Sequence, residues 1–339
     1  MPSGGEEAPA ADSDLPLTEG ATGEAVRDLQ RRLRALDLDL GVDTFGYYGP
    51  GTSAAVRAFQ DQRGLRVDGI CDRNTWASLV EAGRILGERL LYYRKAMLKG
   101  DDVATLQRQL GALGFDAGRP DGIFGPETHD ALCEFQRNVG LTEDGICGPT
   151  TVQYLRRYTA RVTGSVLVAG IRERVKLSDA PRTLRGWRVA VGEAGGLAAL
   201  AEATRRVLRR AGADVLTLHD PDESAHAAQA NAAEVDVYVG LRLEPGLVGC
   251  RSFYFQGHRG YASEAGRNLA RLTSEAVAGR LQVPAMACRG MGTPLLRETR
   301  MPAIVIEIGP PSLVVRRTRE VADAITEGLD RWVGRPFPE

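Results

Sequence analysis

Asp68-Gly69-Ile70-Cys71 returns as Asp144-Gly145-Ile146-Cys147, at an offset of 76 (68 to 144), and this return decides how the first half of the chain folds. The same offset carries Tyr48-Gly49-Pro50 onto Phe124-Gly125-Pro126, Thr52 onto Thr128, Phe59-Gln60 onto Phe135-Gln136 and Gly64-Leu65 onto Gly140-Leu141. With one more residue of offset, Gly23 falls on Gly100 and Leu29-Gln30 on Leu106-Gln107. Self-similarity of this kind marks repeated structural units. Inside each unit Val26, Leu29, Leu33 and Leu36, or Val103, Leu106, Leu110 and Leu113, recur at helical spacing and predict an amphipathic first helix. A Gly/Asp-rich turn follows, then a second helix holding Val56 and Phe59, or Leu132 and Phe135, with Thr52 or Thr128 expected to cap its first turn. The repeated Asp-Gly-Ile-Cys turn leads to a short third helix around Trp76-Leu79 or Val152-Leu155. Two small all-α modules of three helices each are expected, over residues 19–90 and 96–160.

Around this repeat the composition is that of a globular, multidomain chain. It has 339 residues, 43% of them hydrophobic, and 43 Lys+Arg balance 44 Asp+Glu for a net charge of −1. Nucleic acid is excluded as an expected partner, because phosphate binding needs a clustered cationic excess. The segment 1–18 carries no Lys or Arg and no apolar stretch, so it reads as a disordered acidic tail rather than a secretory signal. No apolar run approaches the length of a transmembrane segment, and Ala303-Ile304-Val305-Ile306 is stopped by Glu307. Five scattered cysteines without a CxxC pair indicate neither a disulfide framework nor a cysteine zinc site. These features together give a cytoplasmic expectation.

Both modules resemble the three-helix peptidoglycan-binding domain that accompanies bacterial cell-wall hydrolases, with its pattern G-x-x-V-x-x-L-Q, D-G-x-F-G-x-x-T-x-x-A-V-x-x-F-Q, G-L-x-x-D-G-x-x-G. The second module follows it through Asp121-Gly122-Ile123-Phe124-Gly125-Pro126-Glu127-Thr128 and Asp144-Gly145-Ile146-Cys147-Gly148. The first departs at its middle turn, where Thr44-Phe45-Gly46-Tyr47 stands in place of Asp-Gly, and at Asp72 in place of the final Gly. The resemblance implies cell-wall material as ligand and carries over Tyr48, Gly49, Asp68, Gly69, Asp121, Gly122, Phe124, Gly125, Asp144 and Gly145 as binding positions. Glycine in turns, Asp on turn amides and Phe in a core explain many of these residues by folding alone.

After a connector at 161–183, short apolar runs alternate with helical stretches, which predicts an α/β domain with a central mixed sheet over 184–334. Strands are expected at Trp187–Val191, Asp214–Leu218, Val235–Leu241, Arg251–Phe255 and Ala303–Ile308. Helices are expected at Leu197–Ala211, Ser224–Ala233, Ser263–Arg280 and Arg316–Val333. Arg210-Ala211-Gly212-Ala213-Asp214-Val215, Ala230-Asn231, Val235 through Arg242 and Leu296 through Gly309 resemble the zinc-dependent N-acetylmuramoyl-L-alanine amidase domain. Such an enzyme needs His, Glu and His on zinc, an open position for water and a carboxylate as general base. The strand that ends in the last ligand His of that family ends here in Arg242, whose guanidinium has no lone pair for a metal. The loop of the first ligand is Gly192-Glu193-Ala194-Gly195-Gly196, without His, and the segment bearing the ligand Glu is missing. Glu307 stands at the general-base position. His219, His226 and His258 lack the spacing of a helical zinc motif and read as scattered surface residues.

Taken together, the chain is similar to the CwlM-like family of actinobacterial amidase homologues: tandem peptidoglycan-binding modules followed by a degenerate amidase domain. That resemblance implies a cytoplasmic, catalytically inactive regulator of peptidoglycan precursor synthesis without a cofactor. Its partners would be peptidoglycan or its muropeptide precursors, a cell-wall biosynthetic enzyme and a Ser/Thr kinase. The phosphorylated C-terminal tail of that family is not evident, since no hydroxyl residue follows Thr326, so phosphorylation control is expected to be either absent or relocated to Ser3, Ser13, Thr18 or Thr22. The alternatives are an active zinc amidase, for which zinc would be the cofactor, and a plain wall-binding adaptor.

Overall fold

The computed structural model describes residues 15–159, 168–257 and 261–338, and the chain divides into two compact units, 1–165 and 166–339. In the first unit, α1 (Glu24–Ala35), α2 (Pro50–Arg63) and α3 (Arg73–Glu81) enclose one core built on Leu29, Leu33, Tyr48, Phe59 and Leu79. The helices α4 (Asp101–Ala112), α5 (Pro126–Asn138) and α6 (Pro149–Thr159) enclose a second, built on Leu106, Leu110, Phe124, Phe135 and Leu155. The repeated apolar positions are thus the two cores, as their helical spacing requires.

Each module starts earlier in the chain than its helix periodicity suggests. Leu17 pairs with Cys71, and Leu91 with Cys147, in matching antiparallel bridges that tie a lead-in segment to the Asp-Gly-Ile-Cys turn. Leu17 therefore belongs to the first core rather than to an acidic tail, and Leu86 and Leu91 belong to the second core although they precede residue 96. Residues 1–14 of that tail, with Ser3 and Ser13, lie outside the described residues. The helix caps also differ from expectation. Neither Thr52 nor Thr128 caps a helix through its side chain: Asp43, from the preceding loop, accepts from the amides of Gly51 (3.2 Å) and Thr52 (2.6 Å), while both threonine hydroxyls face inward.

In the second unit, α7 (Val168–Ser178) lies inside the segment read as a connector, and its Leu177 is buried in the core of the α/β domain. The following elements are β1 (Arg188–Glu193), α8 (Ala198–Arg210), β2 (Asp214–His219), α9 (Glu223–Ala232), β3 (Val237–Leu243), β4 (Gly249–Phe255) and α10 (Glu264–Leu281). After them come β5 (Arg289–Met291), α11 (Pro294–Glu298), β6 (Ala303–Gly309), α12 (Pro311–Arg316) and α13 (Thr318–Gly334). The sheet order is β2-β1-β3-β6-β4-β5. The first four strands are parallel and β4 runs antiparallel to β6, so the sheet is mixed. The short β5, α11 and α12 have too few residues to show a period and were not anticipated.

Two cores flank the sheet. One face carries Val191, Val239, Leu241, Ile304 and Ile306 against α8, α10 and α13, with Trp187 and Trp332 edge to face at 5.4 Å. The other carries Ala190, Tyr238, Phe253, Val305 and Ala303 against α9 and α11. The alternation of side chains along each strand sorts residues between these faces. All five cysteines are free thiols, and burial pushes those of Cys71 and Cys147 up to about 12, which keeps them unreactive fillers.

Candidate functional site

In each module the polar residues of the repeat organise turns, and a buried glutamine stands at the centre of each. Gln136 accepts from the Gly145 amide (2.9 Å) and donates to Asp144 Oδ1 (2.8 Å), the Ile146 carbonyl (3.1 Å) and Thr151 Oγ1 (3.4 Å). Gln60 repeats the pattern with Gly69, Asp68, Ile70 and Thr75, and Gln107 repeats it with Gly122, Asp121, Ile123 and Thr128. Gln30 does the same with Gly46, Tyr47 and Thr52. The middle turn of the first module thus keeps its glycine, at φ +90°, and only the Asp position has changed, to Phe45. A side-chain amide has one acceptor and one two-proton donor, so a single Gln satisfies both a turn amide and a turn carbonyl that burial would otherwise leave unpaired.

The ten carried-over module residues sit in this internal bonding. Tyr48 and Phe124 are fully buried, and the Tyr48 hydroxyl donates to the Gly69 carbonyl at 2.7 Å. Gly49 and Gly125 precede the second helices as their N-caps. Asp68, Asp121 and Asp144 accept from the amides two residues on, and Gly69, Gly122 and Gly145 supply positive φ and amides to the glutamines. What differs between the modules is the surface beside the last turn. In the second, Leu90, Tyr92, Tyr93 and Met97 are exposed, and Tyr93 lies 6.1 Å from the His129 ring. In the first, Thr18 and Glu19 follow the lead-in leucine, and Ser53 and Arg57, bonded at 2.8 Å, stand where the second has His129 and Cys133. The tyrosine pair was missed because the family pattern does not reach it; two adjacent aromatics in a polar lead-in were the available signal.

In the α/β domain, Arg242, Glu307 and Arg251 are cross-strand neighbours on β3, β6 and β4 and project from the same face. Glu307, 4% exposed, accepts from Arg251 Nε at 2.6 Å and from Arg242 Nη1 at 3.3 Å. Arg242 also donates to Glu223 at the start of α9, and Glu223 accepts in turn from the Leu295 amide at 3.5 Å. The result is an alternating row Glu223, Arg242, Glu307, Arg251 across the end of the sheet. Asn231 holds the adjoining loop, donating to the Glu298 carbonyl (2.8 Å) and accepting from the Arg300 amide (2.9 Å).

Glu193 is not part of this row. It falls in register with Leu241, so its side chain projects to the opposite face, where it takes His219 Nδ1 at 3.0 Å and the amides of Gly195 and Leu197 at the N-terminus of α8. Burial pushes its carboxyl up, but the His219 bond and the two amides outweigh that and hold it below its usual range. Ala194 follows it, exposed, in the turn. The sequence-predicted loop and the Arg242–Glu307 pair are therefore not brought together. His226 corrects its reading as a surface residue: it is 3% exposed, with Nδ1 2.8 Å from the Tyr238 hydroxyl, and burial holds its imidazole below the ordinary value. Tyr238 lies along β3 beside Gly192 of β1. A Cβ at Gly192 would come within 1.9 Å of the tyrosine oxygen, so only glycine fits there. His258 lies outside the described residues.

These residues do not fit zinc. A permanent cation stands between the two carboxylates that converge on this end of the sheet, repelling a metal and supplying no lone pair. Among the described residues no group of three His, Cys, Asp or Glu could hold a metal ion. None of the described helices is long and apolar enough to cross a membrane.

Comparison with known proteins adds the following. The family model of the peptidoglycan binding domain matches residues 22–79 and 99–155. The chain is similar to the N-acetylmuramoyl-L-alanine amidase CwlM of Mycobacterium tuberculosis, at 37% identity over 84% of this chain and 78% of that protein. It is also similar to the N-acetylmuramoyl-L-alanine amidase CwlL of Bacillus licheniformis, at 34% over 41% of this chain and 45% of that one. Among solved structures, the amidase Ami1 of Mycobacterium smegmatis aligns at TM-score 0.39 and 14% identity, over 45% of this chain and 99% of that one.

Proposed function

We propose, for a chain that belongs to the family of the N-acetylmuramoyl-L-alanine amidase CwlM, that the α/β domain is a catalytically inactive amidase homologue serving as a regulatory surface. The helical modules then engage peptidoglycan or its muropeptide precursors. The observation that carries the reading is Arg242: its guanidinium joins Glu223 to Glu307, so the general-base position is spent on an ion-pair row. A zinc-dependent amidase has to activate water with its metal and accept the proton on a carboxylate. A domain whose carboxylate is already paired to two arginines, with no lone pair at the adjoining strand end, lacks both parts.

Zinc analysis of the purified chain, paired with peptide release from cell-wall peptidoglycan in the presence of added zinc, tests this. Substoichiometric zinc without release is the expected result; one equivalent of zinc with release overturns it. The regulatory role places the chain in the cytoplasm, where its ligand would be a precursor. Its protein partner would be an enzyme of precursor synthesis, under control of a Ser/Thr kinase. Support for this part comes from family membership, and affinity capture from cytosol, with the rate of precursor synthesis as readout, examines it.

A further inference from the structure

On the face of the α/β domain away from the Arg242 row, a pocket of about 460 Å³ opens between α10, the end of α13 and the segment that follows it. Its lining is Asn268, Arg271, Leu272, Arg331, Arg335 and Pro338. One wall is fixed by a buried amide. Asn268, 3% exposed, donates to the carbonyls of Arg335 (2.8 Å) and Pro336 (3.0 Å), and its Oδ1 accepts from Arg271 Nη2 at 2.9 Å. Arg271 is further steadied by Glu275 at 2.8 Å, and the same carboxylate lies 3.6 Å from Arg331. Arg271 and Arg331 are thus set side by side on a concave volume by one shared carboxylate.

We propose that this pocket binds a phosphate or diphosphate group of a small molecule. Guanidinium groups stay charged at all physiological pH values and match tetrahedral phosphate oxygens with forked donors. A volume of this size suits a ligand such as a nucleotide or sugar phosphate rather than a macromolecule. The inference is independent of whether the domain hydrolyses anything.

The test is calorimetric titration of the full chain at low salt, with inorganic pyrophosphate in one arm and a nucleoside diphosphate in the other. Saturable binding of one equivalent is expected. The double variant Arg271→Gln/Arg331→Gln weakens it by about tenfold or more. Glu275→Gln tightens it, because the competing carboxylate is gone. Both arginines are about half exposed, so the variants should fold, and their melting temperatures check this. Tighter binding of the nucleoside diphosphate identifies a phosphate ester as the ligand; equal binding identifies the free anion. Absence of saturable binding, or affinities unchanged in the double variant and in Glu275→Gln, overturns the proposal.

Discussion

The helical modules and the α/β domain solve the same problem, a buried polar centre, in opposite ways. Each module turn is organised by a neutral glutamine whose partners lie in one turn and the first turn of the helix after it: Gln136 reaches residues 144 to 151. The α/β domain uses four charges from α9, β3, β4 and β6. A neutral amide is satisfied by a short stretch of backbone and tolerates loss of one bond. A charge row stands or falls with its members, because an ion left unpaired in a low-dielectric site is far more costly than an unpaired amide.

That contrast predicts a ranking. Arg242→Ala leaves Glu223 without its cation while Glu307 keeps Arg251, and should destabilise the α/β domain by about 3 kcal/mol. Denaturant unfolding that follows each unit separately should show the module transitions unmoved; a loss below about 1 kcal/mol would mean that water satisfies the row. Gln136→Leu should cost about 2 kcal/mol and act on the second module alone. A deficit shared by both modules would show that they do not unfold independently, a coupling for which the Arg63–Asp101 pair at 2.7 Å is the physical route.

Smaller again is the acid response of the α/β domain. His226 is held neutral by burial, so below its ordinary value the unfolded chain takes up a proton that the folded one refuses, and stability falls as pH drops from 7 towards 5. The loss over that range should be smaller than that from Gln136→Leu. Glu193 has a carboxyl depressed in the folded state, so its contribution is intact there and is lost only at more acidic pH, as it protonates. His226→Phe should flatten the first slope and leave the second; an unchanged slope between pH 7 and 5 would assign it elsewhere. The smallest effect separates the two modules from each other. Tyr92→Ala with Tyr93→Ala should lower sedimentation with insoluble peptidoglycan a few-fold. Changing Thr18 and Glu19 to Ala should leave it alone, and equal losses from both pairs would remove the distinction drawn between the two surfaces.

Much of the scaffold was legible before any coordinates. The repeat, the three-helix period and the alternation of short strands with helices depend on residues close in the chain, and the structure follows them with shifts of a few residues, as at β1, which runs on to Glu193. The lead-in strands were not legible, because a single bridge such as Leu17 to Cys71 spans more than fifty residues and leaves no period. The helix in 161–183 was hidden by weak amphipathicity, and the cap from Asp43 by its position in a preceding loop. Of the candidate site, Arg242 and Glu307 were visible as departures from and survivals of a motif. Glu223 and Arg251 carry no local signal, since they matter only through partners brought to them by the sheet.

The sequence by itself determined that two homologous modules precede an amidase-like domain, and that Arg242, at the position of a ligand His, is a residue that can never ligate a metal. Both are properties of residue type and short-range spacing. Only the tertiary structure decided that Arg242 lies between two carboxylates, that His226 is buried beneath Tyr238, and that Glu193 faces away from Glu307. Those outcomes depend on strand register and on the alternation of side chains across the sheet, where moving one residue along a strand changes the face on which a charge is found.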